Sequence, residues 1–200
     1  MAFHRLAPLL LYLLLAATAR AQLLPQAVLD TVRTFRSLER ALQQPDSVYR
    51  LDLSRQGLKE VPEELRRLKN LNALDLGRNK LRALPAWMNE LQYMQEFSAG
   101  RNKFMEVPET VCQWKALKRL DLHQNSIQGL PACMGGLKQL HSLDLWSNEL
   151  GDFPPEIAGM KALRFVDLRV IQFSQGEMDR ISALLPSAKI WFSQPCDCGE

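Results

Sequence analysis

LNALDLGRNKLRALPAWMNEL, residues 71–91, sets apolar side chains at Leu71, Leu74, Leu76, Leu81, Leu84, Met88 and Leu91, with Asn79 and Pro85 between them. The pattern returns every 23 residues. Leu51, Leu74, Phe97, Leu120, Leu143 and Val166 share one phase, and Pro62, Pro85, Pro108, Pro131 and Pro154 share another, with no insertion or deletion between them. A fixed period of roughly 20 to 30 residues with a Leu-x-x-Leu-x-Leu core marks a solenoid, in which each unit buries its apolar side only by stacking on its neighbours.

Within each unit the alternation Leu-Asp-Leu predicts a short strand with two residues inward and the one between them outward. Asn79, Asn102, Asn125 and Asn148 follow three residues after the second apolar position. An amide side chain there can satisfy buried backbone groups of the turn, so four in one column predict an internal polar ladder. Gln56 begins that column and Ile171 ends it. Proline, which cannot continue a ladder, then turns the chain to the convex side. Leu65, Met88, Val111, Met134 and Ile157, each followed three residues later by another apolar residue, predict one inward-facing helical turn per repeat. Trp87 falls off these inward positions and reads as partial packing.

Outward from the repeats the pattern changes. Residues 1–21 read as a secretory signal peptide: His4 and Arg5 precede an apolar run over Leu6–Ala17, and Ala19-Arg20-Ala21 offers small residues for cleavage before Gln22. The run is shorter than the ~20 residues needed to span a bilayer. Residues 22–47 form an N-terminal cap, expected as one amphipathic helix over Pro25–Gln44 with Val28, Val32, Phe35, Leu38 and Leu42 on one face. The six repeats occupy 48–173. The C-terminal cap, 174–200, opens with a capping box at Ser174 and Glu177, continues as a helix that Pro186 ends, and closes with an edge strand around Ile190–Phe192.

Composition is that of a globular protein, with 46% apolar and 24% charged residues. The net charge of +3 becomes +1 once Arg5 and Arg20 leave with the leader, which gives no reason to expect nucleic acid or an anionic membrane as partner. Export permits disulfides. Cys112 and Cys133 sit in adjacent repeats, four and two residues after their prolines, and this offset favours two small buried thiols over a bridge. Cys196 and Cys198 have neither the spacing nor a neighbouring His for a metal site, and read as a local disulfide or exposed thiols.

The unit Leu-x-x-Leu-x-Leu-x-x-Asn-x-Leu-x-x-Leu-Pro resembles the 23-residue leucine-rich repeat family. The export signal makes the chain resemble bacterial exported or surface members more than the intracellular Ras-related ones. The resemblance implies an α/β fold: a right-handed solenoid with a parallel concave β-sheet, short convex helical turns and helical caps. It also implies protein–protein interaction rather than catalysis. No serine-centred elbow, His-Glu-x-x-His or phosphate loop appears, and no cofactor is expected.

Residues at one repeat position form a column across the concave sheet, about 4.8 Å per step. The central column reads Asp52, Asp75, Ser98, Asp121, Asp144, Asp167; the next two read Ser54, Gly77, Gly100, His123, Trp146, Arg169 and Arg55, Arg78, Arg101, Gln124, Ser147, Val170. Arg119 and Phe165 lie on the other side of the aspartates. Repeats one to three are small and arginine-edged; repeats four to six are aromatic. Exposed Trp and Arg are the types enriched at interface hot spots. The expected partner-binding residues are therefore Trp146, His123, Arg169, Phe165, Arg119, Asp121, Asp144 and Asp167. The chain reads as a monomeric exported binding module, secreted, periplasmic or at the cell surface, whose partner is another protein. A structural or adhesive surface component is the alternative, with calcium on the aspartate column a lesser one.

Overall fold

A computed structural model describes residues 22–151 and 153–196; the expected leader lies outside the described residues. Eight strands form one parallel sheet in sequence order. Six belong to the repeats: β2 (Arg50–Asp52), β3 (Ala73–Asp75), β4 (Glu96–Ser98), β5 (Arg119–Asp121), β6 (Ser142–Asp144) and β7 (Phe165–Leu168). Their register is a uniform 23 residues, with Leu51 beside Leu74, Leu74 beside Phe97, and onward to Leu143 beside Val166. The edge strands come from the caps: β1 (Thr34–Phe35) before the repeats and β8 (Lys189–Phe192) after them.

One apolar core runs the length of the solenoid, from Phe35 to Leu185. Its third repeat departs from leucine in a compensated way. Phe97, Phe104 and Trp114 are all buried there, and the inward position beside Phe97 shrinks to Ala99. The Phe97 and Trp114 rings meet edge-on at 4.9 Å, and the Trp114 ring N–H donates to Met88 O at 3.1 Å. The small Ala99 leaves room beside the larger rings, the kind of compensated exchange that a close-packed interior tolerates.

The convex side is a stack of five-residue 3-10 turns, Glu63–Arg67, Ala86–Glu90, Glu109–Gln113, Ala132–Gly136 and Pro155–Gly159, each led by a repeat proline. Each proline carbonyl accepts from the N–H three residues on, as in Leu65 N to Pro62 O at 3.2 Å. The last two turns pack closest: a Cβ on Gly135 would lie 2.1 Å from Glu156 O, so only glycine fits. The asparagine ladder forms as its spacing predicts. Asn79 Oδ1 accepts from Gln56 N and Leu58 N, and its Nδ2 donates to Leu53 O and Leu76 O. Asn102, Asn125 and Asn148 repeat the arrangement one unit further along.

Two expectations need correction. The single helix over Pro25–Gln44 is three pieces: α1 (Gln26–Leu29), β1, and α2 (Leu38–Leu42) with Ser37 Oγ accepting from Arg40 N. A sheet ending at β2 would leave an open row of backbone groups, and the extended Thr34–Phe35 dipeptide fills it. Edge pairing outweighs the helical spacing, and Val28 of the supposed inward face stays 44% exposed. Second, Cys112 and Cys133 form a disulfide rather than two thiols. The stacked 3-10 turns bring their Cα atoms to 5.7 Å, so the two-residue offset is no obstacle. At the other end the capping box forms as expected, with Ser174 and Glu177 bonding each other's backbone ahead of α3 (Gln175–Leu184). Cys196 is also disulfide-bonded.

Candidate functional site: the concave face

The aspartate column has a structural duty first. Asp52, Asp75, Asp121, Asp144 and Asp167 each turn one Oδ1 to the N–H two residues on, at 2.7–3.1 Å. Carboxylates suit this short-range turn contact. It supports the turn that carries a left-handed residue in every repeat, Arg55, Arg78, Arg101, Gln124, Ser147 and Val170 at φ between 49° and 61°, although Arg101 follows Ser98, whose Oγ donates to Asp121 instead. The aspartates still feel one another. Burial raises the pKa of Asp144, and Asp121 and Asp167 add to it, against the Trp146 N–H bond. Burial likewise raises Asp75, with Asp52 and Asp121 contributing.

The two halves of the face differ more than the columns alone suggest. In repeats one to three, the N-terminal segment folds back over the strands' entry side, where Leu24 and Leu29 cover Ala73. Asn72 Oδ1 accepts from Leu24 N at 2.9 Å, and Gln95 Nε2 donates to Leu24 O at 2.7 Å. Arg50 and Arg119 converge on the Glu96 carboxylate at 2.9 and 3.2 Å, with the Gln26 amide at 2.6 Å. A cavity of about 400 Å³ lies beside this network, lined mainly by its charged members and by Asp52, Asp75 and Asp121. Arg119, one of the candidate interface residues, stays exposed while pairing with Glu96 in this network.

Repeats four to six stay open. His123 lies over Gly100, where a Cβ would come within 2.3 Å of the imidazole. The ring's Nδ1 is 2.6 Å from Asp121 Oδ1, and its centroid is 5.8 Å from that of Trp146. Asp121 Oδ2 accepts from Ser98 Oγ at 2.9 Å. Arg169 folds back onto Asp167, with Nε 2.9 Å from Oδ1. Burial opposes ionisation of Asp167, but the Arg169 side chain and backbone bonds outweigh it and lower its pKa. Phe165, 50% exposed, stacks on Trp191 of β8 at 6.0 Å, and the Lys189 ammonium lies 5.1 Å from the Trp191 ring. Seven of the eight expected residues thus share this half: His123, Trp146, Asp121 and Asp144 in one cluster, Phe165 at its margin, and Arg169 paired with Asp167. Trp191 and Lys189 were missed, because their place depends on β8 pairing Asp167 with Trp191. Only the cap's register, not the repeat, could have found them.

Donor atoms of Asp121, His123 and Asp144 lie within 4.8 Å of one another. Calcium takes six to eight oxygens, roughly, and an imidazole with two carboxylates already holding turn N–H groups does not fit that shell. The calcium expectation finds no support in this donor set.

Similarity to known proteins agrees with the architecture. Residues 100–150 match the family described as Leucine rich repeat. A leucine-rich repeat protein of Leptospira interrogans superposes with a TM-score of 0.63 at 30% identity, over 82% of this chain and 49% of that one. This chain is a leucine-rich repeat protein. It spans about half the length of the Leptospira protein. Internalin C2 of Listeria monocytogenes superposes at TM-score 0.62 and 20% identity, over 74% of this chain and 62% of that one. Toll, in the Drosophila Toll–Spätzle complex, does so at 0.58 and 20%, over 69% and 19%. A search of curated proteins finds no match. Leucine-rich repeats generally serve as non-enzymatic scaffolds that bind other proteins. Among the described residues, no helix is long and apolar enough to cross a membrane.

Proposed function

We propose that this leucine-rich repeat protein is an exported, non-enzymatic module that captures another protein on the C-terminal half of its concave face. One observation carries the reading. The N-terminal half is covered on its entry side by the segment at Leu24 and Leu29 and is otherwise lined by charged residues paired around Glu96, whereas the C-terminal half presents Trp146, Phe165 and Trp191 around His123. Rigid aromatic anchors beside charged groups are the composition of an interface centre. Export rests on the leader-like residues 1–21, and cleavage before Gln22 would free the segment that Asn70 and Asn72 hold, through Gln22 N to Asn70 Oδ1 at 3.0 Å and Asn72 Nδ2 to Gln22 O at 3.1 Å.

The test begins with a pull-down from the source cell's envelope and medium, followed by titration of the partner so identified. Trp146→Ala should weaken that complex by about 2 kcal/mol, roughly 30-fold. Unchanged affinity with an intact fold defeats the concave-face reading and favours the structural spacer, whose contacts would lie at the solenoid's ends.

A further inference from the structure

A second surface differs sharply between the two halves. On the loop edge just past the strands, Arg55, Arg78 and Arg101 occupy the left-handed column of repeats one to three, and Lys80 and Lys103 follow two residues after the latter pair. All five are exposed. The same positions in repeats four to six hold Gln124, Ser147 and Val170, then Ser126, Glu149 and Gln172. The cations stand in straight rows because the ladder continues through them: Arg55 N donates to Gly77 O at 3.0 Å, Arg78 N to Gly100 O at 2.8 Å and Arg101 N to His123 O at 2.7 Å. Neighbours in a row are therefore about one strand spacing, ~5 Å, apart.

None of the five enters an ion pair among the described residues. Charges on the convex side behave otherwise, with Glu90 held by both Arg66 and Lys69. The proximity of Arg101 and then Arg55 lowers the pKa of Arg78, so the row is a set of uncompensated like charges. Asp52 and Asp75, three residues before Arg55 and Arg78, turn to the backbone N–H groups of Ser54 and Gly77 instead, and neither Glu60 nor Glu106 forms an ion pair with the row. With a net charge of only +3, such crowding is local rather than a consequence of a basic protein.

We infer that this arginine–lysine ridge binds an extended polyanion, and specifically an acidic polysaccharide whose sulfate, phosphate or carboxylate groups run along the row. Guanidinium forks bind such oxyanions bidentately. The five side chains include no aromatic platform on which bases could stack, which disfavours single-stranded nucleic acid. A protein partner would need an apolar centre that the ridge lacks. The ridge is separate from the Trp146 surface, so the two functions stand or fall independently.

The probe is dextran sulfate, with uncharged dextran as control, titrated against the full chain at several salt concentrations. The variant is Arg55→Gln, Arg78→Gln, Arg101→Gln, which places in repeats one to three the side chain that Gln124 carries at the same φ. Binding should weaken at least tenfold, and the slope of log K against log salt should flatten by about two to three, one for each lost oxyanion contact. Lys80→Gln, Lys103→Gln is the second variant should the first not fold, with a smaller loss expected. Arg67→Gln, Lys115→Gln, Lys161→Gln changes charge equally away from the ridge and should bind as wild type does. Equal loss in that control, no binding of dextran sulfate, or equal binding of uncharged dextran overturns the proposal. Tighter binding of poly-glutamate, single-stranded DNA or anionic vesicles overturns the assignment to polysaccharide.

Discussion

Asn148→Ala should destabilise the protein about twice as much as Asn125→Ala, although the two residues occupy the same place in consecutive repeats. Asn148 is buried; its Oδ1 accepts from Ile127 N at 3.0 Å, and its Nδ2 donates to Leu122 O at 3.0 Å and Leu145 O at 2.9 Å. Removing it leaves Leu122 O with a donor, because Asn125 Nδ2 reaches the same carbonyl at 2.9 Å. Leu145 O has no such reserve, since Ile171 stands where the next asparagine would be. Two buried groups, Ile127 N–H and Leu145 O, are then stranded. Removing Asn125 strands only Phe104 N–H, because Asn102 still serves Ala99 O and Asn148 still serves Leu122 O. At ~1–3 kcal/mol per stranded group, the costs are about 4 kcal/mol for Asn148→Ala and about 2 for Asn125→Ala. For a chain of this size the first corresponds to a fall in Tm of roughly 8–16 °C. Urea unfolding followed by circular dichroism measures the difference, and amide exchange at Ile127 localises it. Equal losses for the two variants, or a loss below 1 kcal/mol for Asn148→Ala, would refute the shared-carbonyl reasoning.

Other perturbations test the site and the bridge. Asp144 has its pKa raised in the folded state, so the native protein carries a penalty that grows as pH rises from the ordinary carboxylate range through the raised value and is full at neutrality. Asp144→Asn keeps an oxygen for the Trp146 N–H, so Tm should rise at pH 7 and the gain should vanish near pH 3; a gain equal at both pH values contradicts the cause given. Gly100→Ala should push the His123 ring off Asp121 with little loss of stability, read as shifted imidazole resonances in NMR, and unchanged resonances would mean the ring does not rest where described. Replacing Cys112 and Cys133 together by Ala should cost about 3 kcal/mol for a loop of this length; a non-reducing digest lacking the Cys112–Cys133 peptide pair would remove the basis for that figure.

The repeat was legible because every unit obeys the same 23-residue count, so inward positions, the asparagine ladder and the strand register follow from one period. What was not legible lies where a repeat meets something other than a repeat. Thr34 and Phe35 pair as a strand because β2 would otherwise be an edge, a reason that no periodicity within residues 25–44 contains. Asn72 and Gln95 are wholly buried polar residues, and their partners in the N-terminal segment lie 48 and 71 residues away in sequence. Their column, which continues as Lys118 and His141, is polar in the sequence, a signal of an internal contact. The grouping of seven of the eight candidate residues on one half of the face was legible for the same reason that the fold was: columns stack. Arg119 pairs with Glu96, its register neighbour on β4, a contact that the columns place but whose charge pairing depends on the two residue types.

The left-handed column shows how one backbone can serve two surfaces. Its φ values are nearly uniform across all six repeats, yet its side chains pass from three arginines through Gln124 and Ser147 to Val170. A β-branched residue at φ 61° is sterically unfavourable, and Val170 remains 56% exposed there, with its N–H donating to Ser193 Oγ at 2.7 Å. The turn geometry is therefore imposed by the backbone ladder, with the aspartate acceptors supporting it in five of the six repeats, not selected by the residue that adopts it. Side chains in this column are free to vary with function. Because each repeat of a solenoid contacts only its neighbours, a change at Arg55 or Arg78 has no packed route to Trp146 or Phe165. Ridge variants should then leave protein capture at Trp146 unchanged, and Trp146→Ala should leave dextran sulfate binding unchanged. Coupling between the two would require a rigid-body change that the continuous core from Phe35 to Leu185 opposes.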